Sequence, residues 1–124
     1  MYKEAGAIPL VRSTTPQALL SLNSLNPIWG QAKNPFQQGR VVGGSSGGCG
    51  GQMGSRCVPI SIGADGGGSL RFPAAFCGIY VFKPTQTRLS GKGLVHAQKN
   101  GFSLFDKFPH CFGPYGKSVQ DLVT

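Results

Sequence analysis

The sequence has little acidic charge and no long hydrophobic run. Only four Asp and Glu residues stand against twelve Lys and Arg, so the net charge is +8 over 124 residues. No apolar run approaches the roughly 18 residues that a membrane-spanning helix needs, and we expect no transmembrane segment. The basic residues are scattered, without the clustered or aromatic-interleaved pattern typical of nucleic-acid binding. Nucleic acid is therefore not expected as a partner, whereas association with an anionic membrane surface is compatible with the charge.

Cysteine and histidine are also sparse, and their spacing does not match a metal site. The residues in question are Cys49, Cys57, Cys77, Cys111, His96 and His110. They contain no CxxC pair, and neither histidine stands at ligand spacing from a cysteine. We therefore predict no metal, no cofactor and four reduced thiols. No signal peptide precedes the first strand-like segment, so the expected location is intracellular, either cytoplasmic or membrane-associated.

Charged residues make up only 13% of the chain and hydrophobic residues 40%, which excludes a typical disordered protein. A chain of this length normally forms one domain. Glycine is abundant, with 20 residues, and it is concentrated between Gly39 and Gly78. This stretch therefore depends on tight backbone geometry, with few side chains to pack.

Hydrophobic patterning predicts alternating strands and helices joined by polar loops. We expect a long loop over 23–44 and a turn or helix from Pro16. The predicted strands are Ala7–Val11, Val58–Gly63 and Ile79–Phe82, and the predicted helices are Gly47–Gly54, Leu70–Phe76 and Ser118–Thr124. Ser45 and Ser46 are expected to cap the first helix, and Ser118 with Asp121 the last. These alternating elements are compatible with an α/β fold class.

Two serines stand in glycine-rich segments, Ser45 in GGSSGG and Ser69 in GADGGGSLRFPA. Consecutive glycines before a serine let several backbone N–H groups point at one small volume, as an oxyanion hole requires. A serine hydroxyl is a weak nucleophile unless a base takes its proton. A second serine can relay that proton to a lysine whose pKa is lowered by burial, which makes Ser45 relevant to Ser69.

The run from Gly43 to Thr85 resembles the amidase signature family, and within it the fatty acid amide hydrolase branch. The likeness extends backward through Asn26-Pro27-Ile28-Trp29-Gly30-Gln31 and forward to Gly113-Pro114, so residues 1–124 resemble part of one amidase signature domain, with the signature region at about 39–85. The resemblance implies a mixed β-sheet flanked by helices, incomplete here. It also implies cleavage of a small-molecule amide or a lipid amide through an acyl-serine.

The resemblance assigns a role to each matching residue. Ser69 matches the nucleophile, and Ser45 matches the relay serine that precedes a cis peptide bond, with Ser46 as the other partner of that bond. Gly66, Gly67, Gly68 and the Ser69 amide match the oxyanion loop. Asp65 and Arg71 match residues that brace this loop. Leu19 and Leu20 fall where the branch contributes apolar residues of the acyl pocket.

The sequence also departs from the family pattern. The family's catalytic lysine lies farther upstream than the residues before Ser45 reach, so we expect it to be absent and the chain to be a fragment; Lys3 is a poor substitute. Gly113-Pro114-Tyr115-Gly116-Lys117 stands where the family usually has Gly-Pro-Met-Ala-Arg, and Ala64 replaces a common threonine.

Several alternatives remain open beside the hydrolase. One is a catalytically inactive remnant or interaction module, and another is the amidotransferase subunit of the same family, which delivers ammonia to aminoacyl-tRNA. A flexible linker would explain GGSSGG, and a phosphate-binding loop would explain Cys111 to Ser118, although cysteine stands where that motif needs its first glycine.

Overall fold

The computed structural model describes residues 2–90 and 110–123. His96 lies outside the described residues. A short 3₁₀ helix covers Gln17–Leu19, and the other elements in chain order are β1 (Leu25–Asn26), β2 (Gly30–Gln31), α1 (Gly47–Gly54), β3 (Ser61–Asp65), α2 (Arg71–Cys77), β4 (Tyr80–Val81), β5 (Cys111–Gly116) and α3 (Val119–Val123). This order of elements confirms the α/β fold class.

The main sheet has three antiparallel strands in the order β3-β5-β4. The central strand β5 pairs with β3 over its length, with Gly113 opposite Gly63 and Cys111 opposite Asp65. Glycine is required at residue 113, because a Cβ there would collide with the carbonyl oxygen of Phe82. Strands β1 and β2 form a separate antiparallel hairpin.

The core lies between the sheet and the first two helices. Helix α1 packs against α2 and against strands β3 and β5. The buried residues that meet there are Cys49, Met53, Val58, Leu70, Ala74, Cys111 and Tyr115, with Ile79 and Val81 packed against them. All four cysteines are free thiols, and Cys57 is the exposed one. Burial raises the pKa of the Cys77 thiol to about 11, which makes it a poor nucleophile at neutral pH.

The glycine-rich segment after Ser46 forms helix α1 and is not a flexible linker. Its glycines allow neighbouring segments to approach the helix backbone closely. A Cβ at Gly50 would lie 2.6 Å from Cβ of Pro73 on α2, and one at Gly48 would collide with the backbone of Thr14. The small size of these glycines therefore allows α2 and the segment containing Thr14 to pack closely on the helix.

Several predicted elements are confirmed within a residue or two. Helix α1 has the predicted bounds, α2 is shifted by one residue, and β4 is a shorter form of the predicted strand. At the start of α3 the Ser118 hydroxyl accepts from the Asp121 amide at 3.2 Å, and the Asp121 carboxylate accepts from the Ser118 amide at 3.1 Å. This reciprocal pair is the predicted cap.

One strand prediction is wrong, and a second strand is confirmed but begins later than predicted. Residues 7–11 form no strand, and Ile8, Leu10 and Val11 are exposed, because no described strand pairs with them and Pro9 has no N–H to donate. Strand β3 begins only at Ser61. Pro59 has no N–H to donate, and pairing with β5 begins at Ser61 opposite Tyr115.

The predicted serine cap of α1 is also wrong, as is the phosphate-loop alternative. Ser46 is the N-cap residue, but its hydroxyl makes no capping bond; it donates to the Ala64 carbonyl and accepts from the Ala64 amide, both at 3.1 Å. Cys111–Gly116 is a paired strand, whereas a phosphate loop leaves its amides free for the ligand.

Among the helices in the described part of the chain, none is long and apolar enough to cross a membrane.

Met53→Ala tests the position of the core. Met53 is fully buried, so its truncation should lower the free energy of unfolding by about 2–5 kcal/mol in urea denaturation followed by circular dichroism. Ile60→Ala removes a similar volume from a half-exposed position and should cost less than about 1 kcal/mol. Equal losses for the two variants would contradict this core.

Candidate active site

Ser69 lies in the turn that connects β3 to α2. The strand ends at Asp65, the three glycines 66–68 form a bend, and Arg71 begins the helix. Gly68 has a φ of 116°, and a Cβ there would collide with the Phe72 ring. The bend therefore requires glycine at residue 68, and it leaves Ser69 half-buried beside the sheet.

The buried carboxylate of Asp65 organises this turn. Its Oδ1 accepts from the Gly68 amide at 2.7 Å, and its Oδ2 accepts from the Leu70 amide at 3.0 Å and the Arg71 amide at 3.4 Å. The Arg71 guanidinium adds two bonds, Nε to Oδ2 at 3.0 Å and Nη2 to Oδ1 at 3.1 Å. One side chain thus holds both ends of the turn that contains Ser69.

These contacts keep Asp65 ionised. Burial is the largest single influence and opposes ionisation, but the hydrogen bonds from Arg71 and from the Gly68 and Leu70 amides together outweigh it. The net result is that the pKa of Asp65 lies below its ordinary value of 3.8. Asp65 in turn raises the pKa of Arg71, so the pair is fully charged at neutral pH.

The Asp65 contacts also narrow the set of oxyanion donors. The family resemblance predicts that role for the amides of residues 66–69. The Gly68 N–H points at the Asp65 carboxylate, so it is already used. The amides of Gly66, Gly67 and Ser69 are the candidates that remain, and the first two belong to exposed residues.

A backbone hydrogen bond joins the two serine segments. The Ser46 amide donates to the Ser69 carbonyl at 3.2 Å, and the Ser46 hydroxyl is bonded to Ala64 on β3. Ser45 is buried immediately before this link. The cis peptide bond lies between Gly44 and Ser45. The expectation that Ser45 precedes it, with Ser46 as the partner, is therefore wrong by one residue.

The segment with Leu19 and Leu20 is followed by residues that contact Gly44, which directly precedes Ser45. The next residues, Ser21 and Leu22, lie against Gly44, where a Cβ would meet their backbone atoms. The side chains of Leu19 and Leu20 are both exposed. Leu19 and Leu20 therefore directly precede, in the sequence, the residues that contact Gly44.

The other features of the described residues do not extend the site. They contain no cluster of three or more His, Cys, Asp or Glu side chains able to hold a metal. A groove of about 610 Å³ is lined by Phe82 and residues 84–88, none of which is a predicted site residue.

The family model described as Amidase matches residues 1–124. The chain belongs to the amidase family.

Relatives within the amidase family differ in their named activities. The chain is 46% identical to fatty-acid amide hydrolase 1 of Sus scrofa over 99% of its length, and 38% identical to a glutamyl-tRNA(Gln) amidotransferase subunit of Legionella pneumophila over 98%. A solved structure of 6-aminohexanoate cyclic dimer hydrolase superposes on 98% of the chain with a TM-score of 0.84 and 33% identity. The chain spans 21–24% of the length of these relatives.

Tyr115 is the residue of this amidase chain that sequence reasoning missed. It is fully buried on β5, and its hydroxyl donates to the Leu70 carbonyl at 2.9 Å and the Ser69 carbonyl at 3.3 Å. The sequence held one signal, the tyrosine in place of methionine within Gly-Pro-Met-Ala-Arg. The contact itself joins residues 46 positions apart, which no local pattern reveals.

Asp65→Asn should destabilise the chain by about 1–3 kcal/mol at pH 7, because buried amides and a guanidinium lose their ionised acceptor. The Asp65 pKa is depressed in the folded state, so the stability that it contributes is present above its ordinary value of 3.8 and is lost as the pH falls through the lower folded pKa. Urea denaturation should therefore show the wild type and the variant converging below about pH 4.

Arg71→Gln is the matched comparison, since it removes only the exposed partner of the pair. We expect a smaller loss than for Asp65→Asn, because three backbone amides still hold the carboxylate. Arg56→Gln, at an exposed position, should have no measurable effect. A loss for Arg71→Gln as large as that for Asp65→Asn would show that the ion pair, and not the amides, holds the turn.

Proposed function

We propose that this chain carries the nucleophile half of a serine amide hydrolase, with Ser69 as the nucleophile and Ser45 as the proton relay. The observation that carries the proposal is the hydrogen bond from the Ser46 amide to the Ser69 carbonyl. It brings together two serine segments that are well separated in the sequence. A proton relay from Ser69 through Ser45 requires these two segments to be adjacent, because the hydroxyl must lose its proton as it attacks.

In the proposed reaction the Ser69 Oγ attacks the amide carbonyl carbon. Its proton passes through the Ser45 hydroxyl to a base, and the C–N bond then breaks as the leaving nitrogen takes up that proton. The products are an acyl-serine ester and an amine. Water attacks the ester with the same base assisting, which releases the carboxylic acid and restores the Ser69 hydroxyl.

The negative charge that develops on the carbonyl oxygen needs donors that are already in place. We propose the amides of Gly66, Gly67 and Ser69 for this role. Asp65 and Arg71 brace the loop from behind, since the carboxylate fixes Gly68 and Leu70 on either side of Ser69. No donor then has to reorganise when the charge appears.

The base is proposed to be a lysine that residues 1–124 do not supply. Lys3 is solvent-exposed, whereas a lysine base needs burial to lower its pKa. Activity is therefore expected from a longer polypeptide that contains this chain. The alternative of a catalytically inactive remnant predicts that no such activity is found.

The proposed substrate is a small-molecule amide, with a lipid amide as the specific candidate. Leu19 and Leu20 are exposed apolar residues that we propose contact the acyl chain, and 46% identity to fatty-acid amide hydrolase 1 of Sus scrofa supports an acyl amide. An intracellular location at a membrane surface would suit such a substrate and the net charge of +8.

An amidotransferase subunit is the second candidate, supported by 38% identity to the Legionella pneumophila glutamyl-tRNA(Gln) amidotransferase chain over 98% of the residues. Both proposals use Ser69 in the same way. They differ in the amide consumed: an amidotransferase would take its ammonia from a donor amide such as glutamine, while a hydrolase of acyl amides would prefer an apolar acyl group.

The mass of the polypeptide that carries this chain is first measured in material from its source. The same polypeptide and its variants are then expressed and compared. Ser69→Ala should abolish covalent labelling by a fluorophosphonate and lower hydrolysis of an acyl amide by about 10⁴-fold or more. Ser45→Ala should lower hydrolysis by about 10²- to 10⁴-fold, because proton transfer is lost while the nucleophile stays.

Ser55→Ala is the matched control. Ser55 ends α1, is exposed and bonds only within its own turn and to Cys57. The Ser55→Ala variant should be labelled by the fluorophosphonate and should hydrolyse the substrate as the wild type does. Unchanged hydrolysis by Ser69→Ala would overturn the proposed nucleophile, and faster release of ammonia from glutamine than from an acyl amide would favour the amidotransferase.

A further inference from the structure

We infer that Tyr115 is a positioning residue for the nucleophile, and that its hydroxyl fixes the peptide group between Ser69 and Leu70 from beneath the site. The inference rests on the proposed role of Ser69 and extends it to strand β5. Tyr115 itself does not reach the reacting atoms in this proposal. It acts through the backbone of the serine turn.

The Tyr115 ring is held rigidly within the core. It is fully buried and packs in the cluster with Met53 and Leu70. Its backbone is part of the central strand, opposite Ser61 on β3 and Val81 on β4. A side chain fixed by strands on both sides and by the core has one orientation in which to present its hydroxyl.

The Tyr115 hydroxyl donates to the backbone of the serine turn. Burial raises the pKa of Tyr115 above its ordinary range, although a hydrogen bond with Ser46 opposes this. The O–H is shared between the Leu70 carbonyl at 2.9 Å and the Ser69 carbonyl at 3.3 Å. Tyr115 is therefore protonated at neutral pH and able to donate.

The Ser69 carbonyl consequently has two anchors from opposite parts of the structure. The Ser46 amide donates to it from the relay-serine segment at 3.2 Å, and Tyr115 donates to it from the sheet. The Leu70 carbonyl likewise receives the tyrosine and the Ala74 amide of α2 at 3.2 Å. The peptide plane that follows the nucleophile is therefore fixed, and with it the direction in which the Ser69 side chain leaves the backbone.

Tyrosine at this position departs from the Gly-Pro-Met-Ala-Arg pattern to which the segment is otherwise similar. Methionine fills a core but has no group able to donate to the two carbonyls. In this chain, one hydroxyl adds a hydrogen-bonded support that the methionine pattern lacks. The replacement offers a natural comparison variant, since Tyr115→Met restores the pattern without the donor.

The test compares Tyr115→Phe with the wild type in the isolated polypeptide that carries this chain. Labelling of Ser69 by a fluorophosphonate is followed over time at several probe concentrations. The maximal labelling rate should fall roughly three- to tenfold while the half-saturating concentration stays unchanged, because the attack geometry is loosened and the probe's own contacts are not. Tyr115→Met should behave in the same way.

Tyr80→Phe is the matched control on the neighbouring strand, where the tyrosine is half-exposed. It should label at the wild-type rate. Amide hydrogen exchange gives a readout that is independent of activity: in Tyr115→Phe the Ser46 and Ala74 amides should exchange faster, since their acceptors lose a second anchor, and in Tyr80→Phe they should not.

Wild-type labelling and wild-type exchange in Tyr115→Phe would overturn the inference while leaving the proposed function intact. Faster exchange at the two amides with an unchanged labelling rate would also overturn it, because the support would then be structural only. A wild type that is not labelled at Ser69 would contradict the proposed function and, with it, any role of Tyr115 in positioning a nucleophile. Exchange would still show whether the hydroxyl holds the turn.

Discussion

The buried carboxylate of Asp65 is the contact on which the serine turn depends. A bend of three glycines has little side-chain packing and a high conformational entropy when unfolded, so it needs a strong local anchor. Asp65 provides one at the end of β3 by accepting from amides on both sides of Ser69 and from the Arg71 guanidinium. Desolvation of the carboxylate is compensated by these donors, which is why the group stays ionised although it is buried.

The glycines of α1 have a different function from those of the bend. In the bend they allow backbone conformations that a side chain would block, whereas in α1 they let other segments lie directly on the helix. Contacts of this kind bring Pro73 and Thr14 against the helix. The beginning of α1 is thereby held next to the serine turn, and the Ser46 amide is aligned with the Ser69 carbonyl.

The sequence predicted features that depend on neighbours along the chain. The bounds of α1, the approximate position of α2 and the Ser118–Asp121 cap follow from local patterns and were found as expected. Resemblance to the family also pointed to Asp65 and Arg71. The role of the Ser46 hydroxyl was missed, because its partner Ala64 is 18 residues away and the same serine would make an ordinary helix cap. The strand predicted at residues 7–11 failed for the related reason that a strand requires a partner, which no local pattern supplies.

Tyr115 shows how a long-range contact can alter a local motif. The Ser69 carbonyl accepts from the Tyr115 hydroxyl on β5 and from the Ser46 amide at the start of α1, so three separate stretches of chain determine its position. A loop held only by its own residues would move as a unit, because its internal bonds would survive that motion. Anchors on different elements do not allow this, since any displacement breaks at least one bond. For the amidase family member described here, precision at Ser69 therefore depends on the docking of β5 and α1 as much as on the serine motif itself.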